Sequence, residues 1–324
     1  MKTVFEYDQV SINKLNGKTV AVIGYGNQGR AHALNLRDSG VDVVVGARDG
    51  SYASSDKFEP LSIPEAVAEG DIVMVLLPDE VQKIVWEQQI EPALKSDAIV
   101  GFAHGFAIAF NQIDTGNRET ILVAPKGQGD MLRIAFENGG GLPGLLAATS
   151  DSGMEIAAAY AKAVGCLHGG GFVTTFRDEC VADQFGEQVV LCGGLIELIR
   201  ASFETLVSRG YDEKNAYFEC VHEVKLIADL LHREGIDGMR KKVSPTAAYG
   251  GLTRGRRIIN DDSRKEMHII LDEIESGDFA REFLDNNNLE QLSELEADSK
   301  LVSTGRTMRS RLEACGFSEK KEDM

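Results

Sequence analysis

Thr19-Val-Ala-Val-Ile-Gly24-Tyr-Gly26-Asn-Gln-Gly29 runs directly into Arg30-Ala-His-Ala-Leu-Asn-Leu-Arg37. Past Ser39-Gly40 it continues as Val41-Asp-Val-Val-Val45. The first run is apolar and β-branched, as a buried strand requires. The second has helical periodicity, and Ser39-Gly40 stops it. The third is another strand. A Gly-x-Gly-x-x-Gly inside a strand–turn–helix–strand unit is the fingerprint of a dinucleotide-binding turn. Gly24 permits the tight turn, Gly26 lets backbone approach a pyrophosphate, and Gly29 allows the helix to pack closely on the strand. The pyrophosphate would lie at the helix N-terminus, where free N–H groups and the dipole favour anions.

Outward from that unit the alternation continues. Asp71–Leu77, Ala98–Ala103 and Thr120–Ala124 read as strands, Leu142–Ala148 as a further short one, and Ser150–Val164 as a helix. In an open parallel sheet, ligands bind beyond the carboxyl ends of the strands. His104 and Lys126 fall at such ends. Histidines are more often structural than functional, but one beside a nicotinamide site is a candidate. The segment after the second strand, Arg48-Asp49-Gly-Ser51-Tyr-Ala-Ser54-Ser55-Asp56, gives mixed signals on the cofactor. Arg48 and the serines suit the 2′-phosphate of NADPH; Asp49 and Asp56 repel it. Arg48 lies nearest the strand end, so NADPH is expected, with NADH possible.

After about Thr175 the strand runs cease. Helical segments are expected over 183–208, 212–235, 262–275 and 289–315, with Asp212 and Asp261 as N-caps and Gly210 and Gly235 as stops. This sets a Rossmann-type domain with a parallel sheet over residues 1–180, followed by an all-α domain over 181–324. Asp183-Gln-Phe-Gly-Glu187 places two acids on one helix face, and Glu219 and Glu223 repeat the spacing. One such pair is commonly a solvated face. Two pairs among Val, Leu, Cys and Gly are harder to dismiss, because a buried carboxylate must be paired, hydrogen-bonded or bound to metal. Oxygen ligands alone point to Mg²⁺ or Mn²⁺. His222 lies off that face and reads as packing or surface. Val243–Gly251 is a turn-rich segment, in which Ser244 could contact substrate or merely form the turn.

The net charge of −17 argues against nucleic acid and anionic membranes as partners. The five cysteines have no paired spacing and read as small buried thiols. No apolar run reaches membrane-span length and the N-terminus shows no signal-peptide pattern, so a cytoplasmic protein is expected.

Taken in order, several of these pieces resemble ketol-acid reductoisomerase (acetohydroxy-acid isomeroreductase) in its short form. They are Gly24–Gly29, Ala31–Gly40, Leu76-Leu-Pro-Asp-Glu-Val-Gln82, His104-Gly-Phe106, Ala124-Pro-Lys-Gly127, Phe185–Gly194, Ala216-Tyr-Phe-Glu-Cys220 and Leu252-Thr-Arg-Gly255. The resemblance implies a knotted helical domain and a homodimer with shared active sites. It implies two Mg²⁺ held by Asp183, Glu187, Glu219 and Glu223, the two pairs coming from different subunits. His104 and Lys126 match active-site residues, and Ser244 the serine that binds substrate. Tyr25, Asn27, Gln28, Arg48, Ser51, Asp79, Glu80, Val81, Gln82 and Gly129 match cofactor contacts. The reaction implied is alkyl migration and reduction of 2-acetolactate, or its ethyl homologue 2-aceto-2-hydroxybutanoate, to a 2,3-dihydroxy acid in branched-chain amino-acid synthesis. Glu223, close to the metals, is the candidate to move the proton. The chain departs from the family at Arg30, Gln128, Asp130, Pro245 and Ala248 and in a shorter loop from Gly46 to Glu65. These changes put substrate range and cofactor preference in question. Two alternatives stand beside this reading: a relative reducing another 2-keto or 2-hydroxy-3-keto acid, and a non-enzymatic nucleotide sensor.

Overall fold

Along Thr19–Ile23, side chains alternate between two buried faces. Val20 and Val22 enter one core, Ala21 and Ile23 the other, and none of the four is exposed. A strand covered on both sides needs apolar residues at every position, so its sequence runs apolar without a break. Each fully buried valine or isoleucine stabilises the unit by about 1.5–3 kcal/mol. The computed structural model describes residues 4–48, 51–286 and 299–314. The chain divides into Met1–Asp183 and Gln184–Met324. Asp49, offered above as a residue that repels a 2′-phosphate, lies outside the described residues, as does much of the helix expected over 289–315.

The first unit holds an eight-stranded sheet among the described residues: β1 (Val4–Phe5), β2 (Thr19–Ile23), β3 (Asp42–Gly46), β4 (Ile72–Val75), β5 (Ile99–Phe102), β6 (Thr120–Pro125), β7 (Gly144–Ala148) and β8 (Gly171–Val173). Their order is β1-β8-β7-β6-β5-β4-β2-β3. The block β3-β2-β4-β5-β6 is parallel throughout, as the dinucleotide-binding pattern requires. Two pairings are antiparallel, β6 with β7 and β1 with β8. Parallel pairing needs a crossover to the far edge of the sheet. The β6–β7 connection instead returns to the end it left, and Lys126 N donates to Pro143 O at 2.9 Å.

Helices cover both faces. α1 (Asn27–Asp38), α5 (Gly129–Glu137) and α6 (Asp151–Val164) contribute to one core; α2 (Ile63–Glu69) and α4 (Phe106–Ala109) contribute to the other, with Trp86 just past α3 (Asp79–Val85). Ser150 caps α6 by accepting from Gly153 N, and Gly165, at φ 89°, ends it. α7 (Phe176–Gly186) follows β8 and carries Asp183 near its end.

The second unit is helical. A π-turn at Glu187–Leu191 and a break at Cys192–Gly193 precede α8 (Gly194–Ser208), so the single helix expected over 183–208 is interrupted. Asp212 caps α9 (Glu213–Tyr217) as expected. A second π-turn, Phe218–His222, leads into α10 (Glu223–Lys242). Gly235 does not stop α10 but kinks it, at φ 69°. Val243–Gly251 is not a turn-rich loop. Ser244 is the N-cap of α11 (Pro245–Ile258), and proline at the first helical position suits a helix start. Asn260, not Asp261, caps α12 (Asp261–Ser276), because its side chain reaches the N–H groups of Asp262 and Ser263. α13 (Asp278–Asp285) follows, and the helix Lys300–Ala314 is the last one described. Phe203, Ala216, Tyr217 and Met308 form a small core. Neither α10 nor α11 has a buried residue. Among the described residues no helix is long and apolar enough to cross a membrane.

Candidate active site

The glycine-rich turn has the geometry its sequence demands. Gly24 sits at φ 99°, and a Cβ there would lie 2.6 Å from Leu76 O. A Cβ on Gly29 would lie 2.1 Å from Gly24 O, so the close approach of helix to strand requires glycine at that position. A Cβ on Gly26 would meet no described atom within 4 Å, which leaves that backbone open to a ligand. α1 begins at Asn27, and the N–H groups of its first turn have no intrahelical partner. Asn27 Oδ1 accepts from Asp130 N at 2.9 Å, and Gln28 Nε2 donates to Gly127 O at 3.0 Å; the starts of α1 and α5 therefore meet beside Gly129. On α3, Gln82 Nε2 donates to Leu77 O at 2.8 Å and to Asp79 Oδ1 at 3.0 Å. Gln28 Oε1, Gln82 Oε1 and Ser51 Oγ are buried without hydrogen-bond partners among the described residues. Of these, Gln28 Oε1 lies on the first turn of α1, where a bound dinucleotide would meet it. Glu80 and Val81 lie in the first turn of α3, and Arg48 is exposed just past β3.

At the same carboxyl edge, β5 delivers His104 and β6 delivers Lys126. Between them stands Glu179 of α7, 1% exposed. Glu179 Oε1 accepts from Lys126 Nζ at 2.9 Å; Oε2 accepts from Gly105 N at 2.8 Å and lies 3.1 Å from His104 Nδ1. One turn on, Asp183 Oδ1 accepts from Lys126 Nζ at 2.8 Å, and its Oδ2 is 3.6 Å from His104 Nδ1. The backbone makes this possible. A Cβ on Gly105 would lie 2.1 Å from Phe176 O, so only glycine lets α7 come close enough for Glu179 to reach Gly105 N. Two carboxylates and two cationic side chains thus balance in one cluster.

Burial favours neutral groups here, and the cluster overrides it. For Glu179, burial pushes the pKa up, but His104 and Lys126 bring the carboxyl below its usual range. For Lys126, burial opposes the charge, and Glu179 and Asp183 restore and strengthen it. For His104, burial again opposes protonation, but contacts with Cys180 and Glu179 hold the imidazole well above its ordinary value. Burial raises the Cys180 thiol, 3.9 Å from His104 Nε2. The neighbouring carboxylates thus favour the protonated imidazole, whose Nδ1 faces Glu179.

Among the described residues, His104, Glu179 and Asp183 are the one group of three side chains close enough to hold a metal ion. Of the four acids read from the sequence, only Asp183 belongs to it. Glu187 stands exposed at the start of its π-turn, Glu219 is exposed within the second π-turn, and Glu223 is exposed at its end. π-turns inside helices recur at functional sites. Ser244 spends its hydroxyl on Ala247 N at 3.1 Å. Sequence reasoning missed Glu179, although Glu179, Asp183 and Glu187 share one helical spacing that could have been followed one turn further back.

A parallel Rossmann block, an open dinucleotide turn and a polar cluster at the same sheet edge define a nicotinamide-dependent oxidoreductase. Residues 14–170 match the family description "Acetohydroxy acid isomeroreductase, NADPH-binding domain", and residues 176–314 match "Ketol-acid reductoisomerase, C-terminal domain". The chain belongs to the ketol-acid reductoisomerase family. It is similar to the solved NADH-preferring ketol-acid reductoisomerase from an uncultured archean: 40% identity over 96% of this chain and 99% of that one, with a TM-score of 0.92. An NAD-binding semialdehyde dehydrogenase protein from Cupriavidus necator (18% identity, 82% and 98% coverage, TM-score 0.61) and a pyrroline-5-carboxylate reductase from Coxiella burnetii (13%, 79% and 95%, 0.52) share the fold.

Proposed function

We propose that this chain is a Mg²⁺-dependent ketol-acid reductoisomerase acting on 2-acetolactate and 2-aceto-2-hydroxybutanoate. Residues 1–180 bind the nicotinamide, and 181–324 supply metal ligands, substrate contacts and the dimer interface. The observation that carries the reading is the cluster of His104, Lys126, Glu179 and Asp183 at the sheet edge that also bears the open turn at Gly26. Asp183, Glu187, Glu219 and Glu223 offer the hard oxygen donors that suit Mg²⁺. When bound, two such ions would polarise the hydroxyl and ketone oxygens of the substrate.

The chain's own groups do the rest. Lys126 and His104 keep Glu179 ionised, and Lys126 holds Asp183 in place. Glu223 takes the proton from the substrate's tertiary hydroxyl as the alkyl group migrates. The turn at Gly24–Gly29 and the residues Gln28, Ser51 and Gln82 would hold the dinucleotide, which when bound would supply the hydride. Ser244 meets the substrate from the start of α11.

A homodimer with shared sites is supported by α10 and α11. Leu226, Ile227, Leu231, Ile236, Tyr249, Leu252 and Ile258 are exposed there, an apolar surface that a second subunit would cover. NADPH is the expected cofactor, from Arg48 and the serines that follow it. The NADH preference of the archaeal relative supports the second reading.

Initial rates on 2-acetolactate, with NADPH or NADH and with or without Mg²⁺, test the proposal. Metal-dependent formation of 2,3-dihydroxy-3-methylbutanoate is expected. Faster turnover of a simple 2-keto acid without metal dependence would replace it with the alternative reductase.

A further inference from the structure

We propose that Arg30 sets the cofactor preference by holding the Asp56 carboxylate away from the adenosine ribose. The proposal rests on the nicotinamide reading of the glycine-rich turn. Arg30 lies on the first turn of α1, and Tyr25 stands between Gly24 and Gly26. Both reach across to Asp56, in the connection from β3 to α2. Arg30 Nε donates to Asp56 Oδ2 at 2.7 Å and Arg30 NH2 to Oδ1 at 3.1 Å, a two-pronged pairing. Tyr25 OH donates to Oδ2 at 2.9 Å. Arg37 NH1 donates to the Asp56 carbonyl at 2.6 Å, and its guanidinium lies 4.6 Å over the Phe58 ring. The segment is thereby docked against the turn that receives the dinucleotide.

The acid that selects NAD by accepting from the ribose hydroxyls usually stands about 20 residues past the glycine-rich turn; Asp56 lies further along the chain, but its bonds to Tyr25 and Arg30 bring it against the turn. Here the carboxylate is turned into α1. Both oxygens are taken by Arg30, and one also by Tyr25. Arg30 offsets that charge, and Asp130 of α5 is an acid that also acts on Arg30; of Asp56, Arg37 meets only the carbonyl. In the same connection the buried Ser51 hydroxyl has no hydrogen-bond partner among the described residues. Without Arg30, Asp56 would keep only Tyr25. It could then accept from a ribose hydroxyl, and it would repel a 2′-phosphate.

The test is calorimetric binding of NADPH and of NADH to the full chain and to Arg30→Gln, Asp56→Asn and the double variant. In Arg30→Gln the ratio of the NADPH to the NADH dissociation constant should rise about tenfold, the equivalent of ~1.4 kcal/mol. In the double variant, which has neither charge, it should stay within about twofold of wild type, and in Asp56→Asn, which frees Arg30 but releases no carboxylate, it should not rise. Equal weakening of both cofactors in Arg30→Gln, or the same tenfold rise in the double variant, overturns the proposal. If Arg30→Gln does not fold, Arg30→Lys keeps the charge but loses the fork; a partial rise supports the proposal and an unmoved ratio overturns it. Wild type that binds neither cofactor fells the nicotinamide reading itself, whereas wild-type binding with unmoved variants fells only the role of Arg30.

Discussion

Glu179→Gln is the sharpest perturbation of the cluster. The carboxylate takes three contacts from one buried position: Lys126 at 2.9 Å, Gly105 N at 2.8 Å and His104 at 3.1 Å. A glutamine in the same place has a single acceptor oxygen. If that oxygen keeps Gly105 and His104, the amide –NH₂ faces the Lys126 ammonium, donor against donor. The reverse placement loses two contacts instead of one. A hydrogen bond to a charged group is worth about 1.5–3 kcal/mol, and leaving a buried charge without its partner costs about 3–5 kcal/mol. Lys126 retains Asp183, so the expected loss is about 2–4 kcal/mol.

The assay follows from the composition. Trp86 is the only tryptophan and is buried in the first unit. Its fluorescence therefore reports urea unfolding of that unit, at fixed protein concentration. The midpoint should fall with the m-value unchanged. Adding Lys126→Met removes the stranded cation, so the double variant should be more stable than the sum of the singles predicts, by at least about 1 kcal/mol. A midpoint shift worth less than about 0.5 kcal/mol, or strict additivity, refutes this account of the cluster.

Other expectations follow from the same geometry. Gly105→Ala, whose new Cβ would collide with Phe176 O, should lower the Trp86 unfolding midpoint and abolish turnover; wild-type activity would contradict the close packing of α7. Asp183→Asn and Glu219→Gln should each abolish isomerisation and weaken Mg²⁺ binding while cofactor affinity stays nearly intact. If sites are shared, verified heterodimers of the two variants should recover part of the activity, and none if each site is built within one subunit. Burial holds His32, whose Nδ1 lies 2.9 Å from Tyr160 OH, down to about 4 from an ordinary 6.5. The unfolded chain then binds this proton at a higher pH than the folded chain. The His32 contribution is complete above about pH 6.5 and is lost as pH falls toward 4, by up to about 3 kcal/mol. His32→Gln should flatten the stability curve in that window, and an unchanged slope would show that His32 does not titrate on unfolding.

The sequence alone determined the elements whose causes are local. Gly24, Gly26 and Gly29 announce the dinucleotide turn because the backbone there tolerates no side chain at Gly24 or Gly29. The unbroken apolar strands announce a sheet covered on both faces, and Asp212 announces a helix start through a bond to its own neighbours. Where competition is equally local but finer, sequence reading slipped. Asn260 took the cap from Asp261, Ser244 proved a cap rather than a turn residue, and Gly235 bent a helix it was expected to end. What the tertiary structure alone decided depends on residues far apart in the chain. Glu179 is an ordinary helical acid until β5 and β6 bring His104 and Lys126 to it from 75 and 53 positions away. Asp56 is an ambiguous ribose acid until Arg30, 26 residues before it, claims its charge. A carboxylate's state is set by the cations and donors folded around it, and neither composition nor spacing can say which ones those will be.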